Sequence, residues 1–166
     1  MPQTQVAMSW RDCDVALSTD GASWTDVTGY HNSIEQSGGE LATGSAHTSD
    51  ATYAVVTVGK RAPATVTFNA LYVESASTPY AFAKTAYETP SELYIRWSPA
   101  GRTSGNYTFY TGMNAVATPG TPIAADFDGN SWLTSMPYPA GDAGSADPVA
   151  LALTFETSVV FQDTEP

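Results

Sequence analysis

Residues 64–73 alternate. Val66, Phe68, Ala70 and Tyr72 fall on one side, and Thr65, Thr67 and Asn69 fall on the other. That period of two is the mark of an extended strand with one buried face. It returns in 92–97, where Leu93, Ile95 and Trp97 oppose Glu92, Tyr94 and Arg96, and in 148–162, where Val149, Leu151, Leu153 and Phe155 oppose Thr154 and Glu156. Residues 53–58 and 106–110 read the same way, and 5–10 and 15–19 read as shorter strands. Asp20-Gly21, between 15–19 and 23–27, is a hairpin signal. Ser37-Gly38-Gly39, Pro99-Ala100-Gly101, Pro119-Gly120 and Asp128-Gly129-Asn130 mark further turns. The pattern predicts a mainly β fold, a sandwich or barrel-like arrangement, in a chain of 166 residues that reads as one domain, 1–166.

One segment has a different period. Thr78 is a good N-cap, Pro79 suits the first helical position, and Phe82, Ala83, Ala86 and Tyr87 form one stripe before Pro90. A helix over 78–89 is expected. So short a helix does not stand alone in water, so it should pack on the sheet and plug one open face. Trp97, Tyr72, Phe109 and Phe155 are expected in the core. Residues 38–52 are small and polar apart from Leu41, and within the Pro- and Gly-rich 115–148 region the stretches 115–125 and 137–148 are rich in Pro, Gly and Ala. These stretches read as long loops, a kind of segment that is either a surface loop or functional.

Charge narrows the partners. Seventeen acids face six bases, a net −11, and the bases are scattered as Arg11, Lys60, Arg61, Lys84, Arg96 and Arg102. No basic patch is large enough to neutralise several phosphates, so tight nucleic-acid binding is not expected. Charged residues are only 14% of the chain, which suits plain β structure and equally a surface covered by other subunits. Cys13 is the single cysteine, so no intrachain disulfide forms and a reducing compartment fits. Residues 1–5 carry neither a basic nor an apolar leader region, and no apolar run is long enough for a helical span, so neither a signal peptide nor a membrane anchor is expected.

Catalytic motifs are not found. Cys13 sits between Asp12 and Asp14, which raise rather than lower a thiol pKa. His31 and His47 lack a second ligand at metal spacing. The run 126–130 departs from a calcium loop, because its glycine comes too early and the twelfth position is Pro137. Residues 18–24 resemble an Asp-box hairpin one residue short, and Asn106-Tyr107-Thr108 matches a glycosylation triplet without a secretion signal. Glu88 with Glu92, and Asp12 with Asp14, are carboxylate pairs that nothing in the pattern gathers into a pocket. No enzyme, cofactor or metal is expected.

The order of elements carries a resemblance. Val15–Gly21 leads to Trp24-Thr25-Asp26-Val27. Tyr30-His31-Asn32-Ser33-Ile34-Glu35 precedes the polar 38–52 loop. Gly59-Lys60-Arg61-Ala62-Pro63 enters the alternating strand, and the short helix, 93–99 and a final strand over 149–161 follow. The chain resembles the major tail protein, or tail tube protein, of long-tailed, siphovirus-like bacteriophages, from about residue 14 to 162. The resemblance implies a β-sandwich flanked by a helix, six-membered rings, and rings stacked into a tube through which genomic DNA passes. The partners implied are other copies of the chain, a tape-measure protein and other tail proteins. DNA slides past acidic walls without tight binding. The place implied is the virion tail, after synthesis in the host cytoplasm. The 38–52 loop would be the arm to the next ring, with Gly39, Glu40, Leu41, His47 and Asp50 as contact residues. An N-terminal arm over 1–12 and a C-terminal tail over 163–166 would add contacts. Nothing visible would contact a sheath, which suggests a non-contractile tail. Two other readings stand beside this one: another phage structural protein, such as a capsid decoration protein or tail terminator, and a carbohydrate-binding β-sandwich module built on the four Trp and nine Tyr.

Overall fold

Alternation becomes packing first in two central strands. The computed structural model describes residues 10–46, 55–116, 118–128, 130–141 and 144–166. In it β6 (Ala64–Leu71) buries Ala64, Val66, Phe68 and Ala70 on one face. Its antiparallel partner β10 (Ala150–Thr157) sets Leu151 opposite Ala70, Leu153 opposite Phe68 and Phe155 opposite Val66. These cross-strand pairs are the centre of the core. Tyr72 lies just past β6, half-buried, with its ring edge-on to Tyr80 at 4.9 Å.

The other strands are β1 (Asp14–Ser18), β2 (Thr25–Asp26), β3 (His31–Gly38), β4 (Leu41–Ala46), β5 (Val55–Arg61), β7 (Tyr94–Ser98), β8 (Tyr107–Thr111), β9 (Ser131–Ser135) and β11 (Val160–Thr164). They form a five-stranded sheet, β11-β8-β7-β1-β2, a four-stranded sheet, β3-β6-β10-β9, and a separate two-stranded ribbon, β4-β5. The fold is mainly β, with the two larger sheets facing across the core, as the alternation predicts. At one corner Leu93 N–H donates to the Ser131 carbonyl at 3.0 Å and joins the sheets.

The helix α1 (Pro79–Glu88) starts where expected. The Thr78 hydroxyl accepts the Ala81 N–H, and Ala83 and Ala86 pack into the core with Leu133 and Met136. Tyr87, expected on the inward stripe, points outward. Thr78→Ala should cost about 1 kcal/mol, measured by urea unfolding, through loss of this cap.

Several expectations change. Residues 5–9 of the first expected strand lie outside the described residues, and Trp10–Asp12 is a 3-10 turn. Tyr94 and Arg96, expected on a polar outer face, are covered, because Trp24 and Phe127 fold over that side. Phe127 lies 4.8 Å from Tyr94, and the Arg96 guanidinium sits 5.0 Å over the Trp24 ring. The region between the expected loops over 115–125 and 137–148 thus supplies Phe127 to a second packed layer, and it also contains β9. The single strand expected over 148–162 is two strands. The chain crosses between sheets at Ser158, with Thr157 Oγ1 donating to the Val159 carbonyl at 2.9 Å.

The C-terminal tail over 163–166 is in large part a paired strand end. Asp163 accepts the Gly120 N–H at 2.7 Å. Glu165 is buried and accepts from Arg102 Nε at 2.7 Å and from the Thr108 hydroxyl at 2.6 Å.

Candidate assembly surface

The long polar stretch after β3 is the feature that leaves the body of the molecule. Within 38–52, the expected loop, Leu41–Ala46 is strand β4 and pairs with β5. Small residues such as Ala42, Gly44 and Ser45 hide a strand that is held by backbone bonds rather than by a buried face. The ribbon continues the β3–β6 pair across a bend. Gly39 N–H donates to the Pro63 carbonyl at 3.2 Å and Ala62 N–H to the Glu40 carbonyl at 2.9 Å, so the ladder passes through. The bend requires glycine. Gly38 and Gly39 have φ of +76° and +79°, and a Cβ on Gly38 would lie 2.5 Å from the Pro63 oxygen.

Beyond the bend every described ribbon residue is exposed. Val58 pairs with Thr43 and Val56 with Ser45, so the two valines share a face, 62% and 64% exposed. A lone two-stranded ribbon is marginal in water, and exposed β-branched strands invite pairing with other chains. Lys60 and Arg61 stand at its root, and Arg61 donates to the Gly39 carbonyl at 3.3 Å. Of the expected contact residues, Gly39 is in the bend, Glu40 follows it exposed and Leu41 opens β4. His47 and Asp50 lie outside the described residues. Val56, Val58 and Gly38 are absent from that expected set. The available signal was Gly38-Gly39 and Ala62-Pro63, two backbone breakers bracketing one alternating segment.

The residues weighed for chemistry have roles in the fold. Cys13 is 3% exposed, and burial, then the Asp14 charge, push its thiol up to about 11. Its reaction with a thiol reagent should be about a hundredfold slower than that of the unfolded chain, a difference that denaturant removes. The His31 ring stacks on Phe68 at 6.2 Å, and burial lowers its pKa. Asp20 accepts from the Ala22 and Ser23 N–H groups and closes the β1–β2 hairpin. Those bonds, Ser23 foremost, draw it down to about 2. Asp126 accepts the Ile123 N–H, Asp128 the Asn130 N–H, and Glu92 the Tyr94 hydroxyl. Glu88 pairs with Lys84, and Asp14 stands 3.9 Å from Arg96. These carboxylates close turns and neutralise neighbours. Trp97 stacks with Phe109, and Trp24 packs on Tyr110 and Phe127, so these rings are spent on packing.

No family model and no curated protein matches the sequence. Solved structures do match in shape. A chain of the PVC sheath–tube complex, from an extracellular contractile injection system in its extended state, superposes with a TM-score of 0.62. The alignment covers 97% of this chain and 94% of that one at 14% identity. The sheath/tube terminator of the same kind of system gives 0.62, with 98% and 100% covered at 15% identity. The cap that terminates the tube of the anti-feeding prophage gives 0.61, with 99% and 95% covered at 16% identity. At these identities the matches show a shared fold. The neighbours come from contractile systems, so the fold does not single out the siphovirus tail named by the sequence resemblance.

Proposed function

We propose that the chain is a structural subunit of a phage-tail-like tube. In this reading 1–166 is one tube domain, six copies close a ring, and rings stack through the β4–β5 ribbon. The observation that carries the proposal is the end-to-end fold match to a chain of a sheath–tube complex. The exposed ribbon supports it, since such a surface is explained by a neighbour that covers it. The net charge of −11 suits the wall of a conduit, because like charge keeps passing DNA from adhering. Its partners would be further copies, a tape-measure protein and other tail proteins, in the tail of a particle assembled in the host cytoplasm.

Negative-stain electron microscopy of the purified protein tests this. Six-fold rings or tubes are expected, and a protein that stays monomeric at every concentration overturns the reading. A second reading is a tube terminator or cap, favoured by the equally good match to those chains. It predicts single rings that never lengthen into tubes.

A further inference from the structure

A groove runs beside β3, which lies at the edge of its sheet. Trp10, Ile34, Gln36, Trp97, Pro99 and Phe109 line a hollow of about 260 Å³. A second hollow of about 140 Å³, lined by Pro99, Ala100, Tyr107 and Phe109, continues it. Two large rings at this groove are left half open, Trp10 at 50% and Tyr107 at 52% exposed. The groove is therefore an apolar channel flanking an edge strand, the setting in which added strands dock.

We propose that this groove receives the Val56/Val58 stripe of a second copy's β4–β5 ribbon. The inference rests on the self-assembly reading and names the surface the ribbon meets. Two observations choose this occupant. The first is apolar complementarity: the stripe is open on the ribbon and the channel is open on the body of the same molecule, so two copies satisfy both. The second is charge. Lys60 and Arg61 follow Val58 by two and three residues, about 7–10 Å along an extended strand. One acid stands beside the channel. Asp12 shares the turn with Trp10, and its carbonyl would lie 3.1 Å from a Cβ on Gly101, beside Ala100. Arg11, in the same turn as Asp12, has an interaction of its own within the chain. With Val58 in the channel, Lys60 and Arg61 come within reach of the turn that carries Asp12, and salt should weaken the contact.

The test mixes two single variants, Val58→Cys and Ala100→Cys, under a short bismaleimide. Both sites are on the surface or partly open, and the native Cys13 is buried, so folding and background reaction are controlled. A cross-linked dimer is expected in the mixture and in neither variant alone. Rings that form without this cross-link overturn the groove assignment and leave the tube reading standing. A Val58→Cys product with itself also overturns it, since ribbons would then meet each other. Monomers at every concentration overturn both. As an independent check, Val56→Asp with Val58→Asp should raise the concentration needed for assembly roughly a hundredfold while near-ultraviolet circular dichroism stays unchanged. Unchanged assembly by the double variant overturns the proposal.

Discussion

Arg102→Met should cost about 2–3 kcal/mol of stability at neutral pH, one of the two largest effects predicted for single substitutions here. Arg102 is the cation that faces Glu165, at 2.7 Å from Nε and 3.1 Å from Nη2, and it also donates to the Gly120 carbonyl. Removing it leaves a buried carboxylate with only the Thr108 hydroxyl as a side-chain donor. Loss of a partner from a buried pair is more costly than the pair is worth, because the remaining charge stays desolvated. The lower part of the usual range applies, since the Arg102 side chain is partly exposed.

The pH dependence follows from the same groups. Burial pushes the Glu165 pKa up, but the Arg102 and Thr108 hydrogen bonds and the Arg102 charge outweigh it, so the group lies below its ordinary 4.5. A depressed carboxylate contributes stability above its unfolded pKa and loses it as pH falls through the folded value. The native protein should therefore weaken in acid below about pH 4.5. In Arg102→Met the uncompensated burial raises Glu165 instead, so protonation relieves the variant. The gap between the two proteins, measured by urea unfolding, should shrink as the solution is acidified. A gap that is constant with pH would show that Arg102 acts through packing alone.

Gly38→Val should abolish assembly while the body of the molecule stays folded. Its φ of +76° is a conformation that a β-branched residue adopts only at a cost of about 2 kcal/mol, and the new Cβ would press on the Pro63 carbonyl. The strain is relieved by moving the ribbon, because the core pairs from Val66 to Ala70 lie beyond the bend. The expected signature is a near-native thermal transition, a few degrees lower, with no rings in the microscope. Normal rings would mean that ribbon direction is not what joins the subunits.

The sequence made the strands legible where one face is buried. Val66-Thr67-Phe68 and Leu151-Ala152-Leu153 advertise their period because the core selects it, and Thr78-Pro79 advertises the helix because orphan N–H groups select the cap. One strand of the ribbon, β4, was hidden for the opposite reason, while its partner β5 was in part legible over 53–58. Leu41–Ala46 pairs with β5 but is exposed throughout, so no hydrophobic period is imposed on it, and it reads as loop. The covered outer face of β7 was equally hidden: its layer is assembled from Trp24 and Phe127, which are far apart in sequence and in irregular segments. The Arg102–Glu165 pair spans 63 residues. Of the expected contact set, Gly39, Glu40 and Leu41 fall at the bend and the opening of the ribbon, His47 and Asp50 lie outside the described residues, and the set does not name Val56 and Val58, the two valines exposed on one face.

Native mass spectrometry of the purified, untagged chain tests the central claim most directly. The account predicts a species of six 17.5-kDa chains, with multiples of six as concentration rises. A single 17.5-kDa chain at every concentration, with the fold intact, would contradict it.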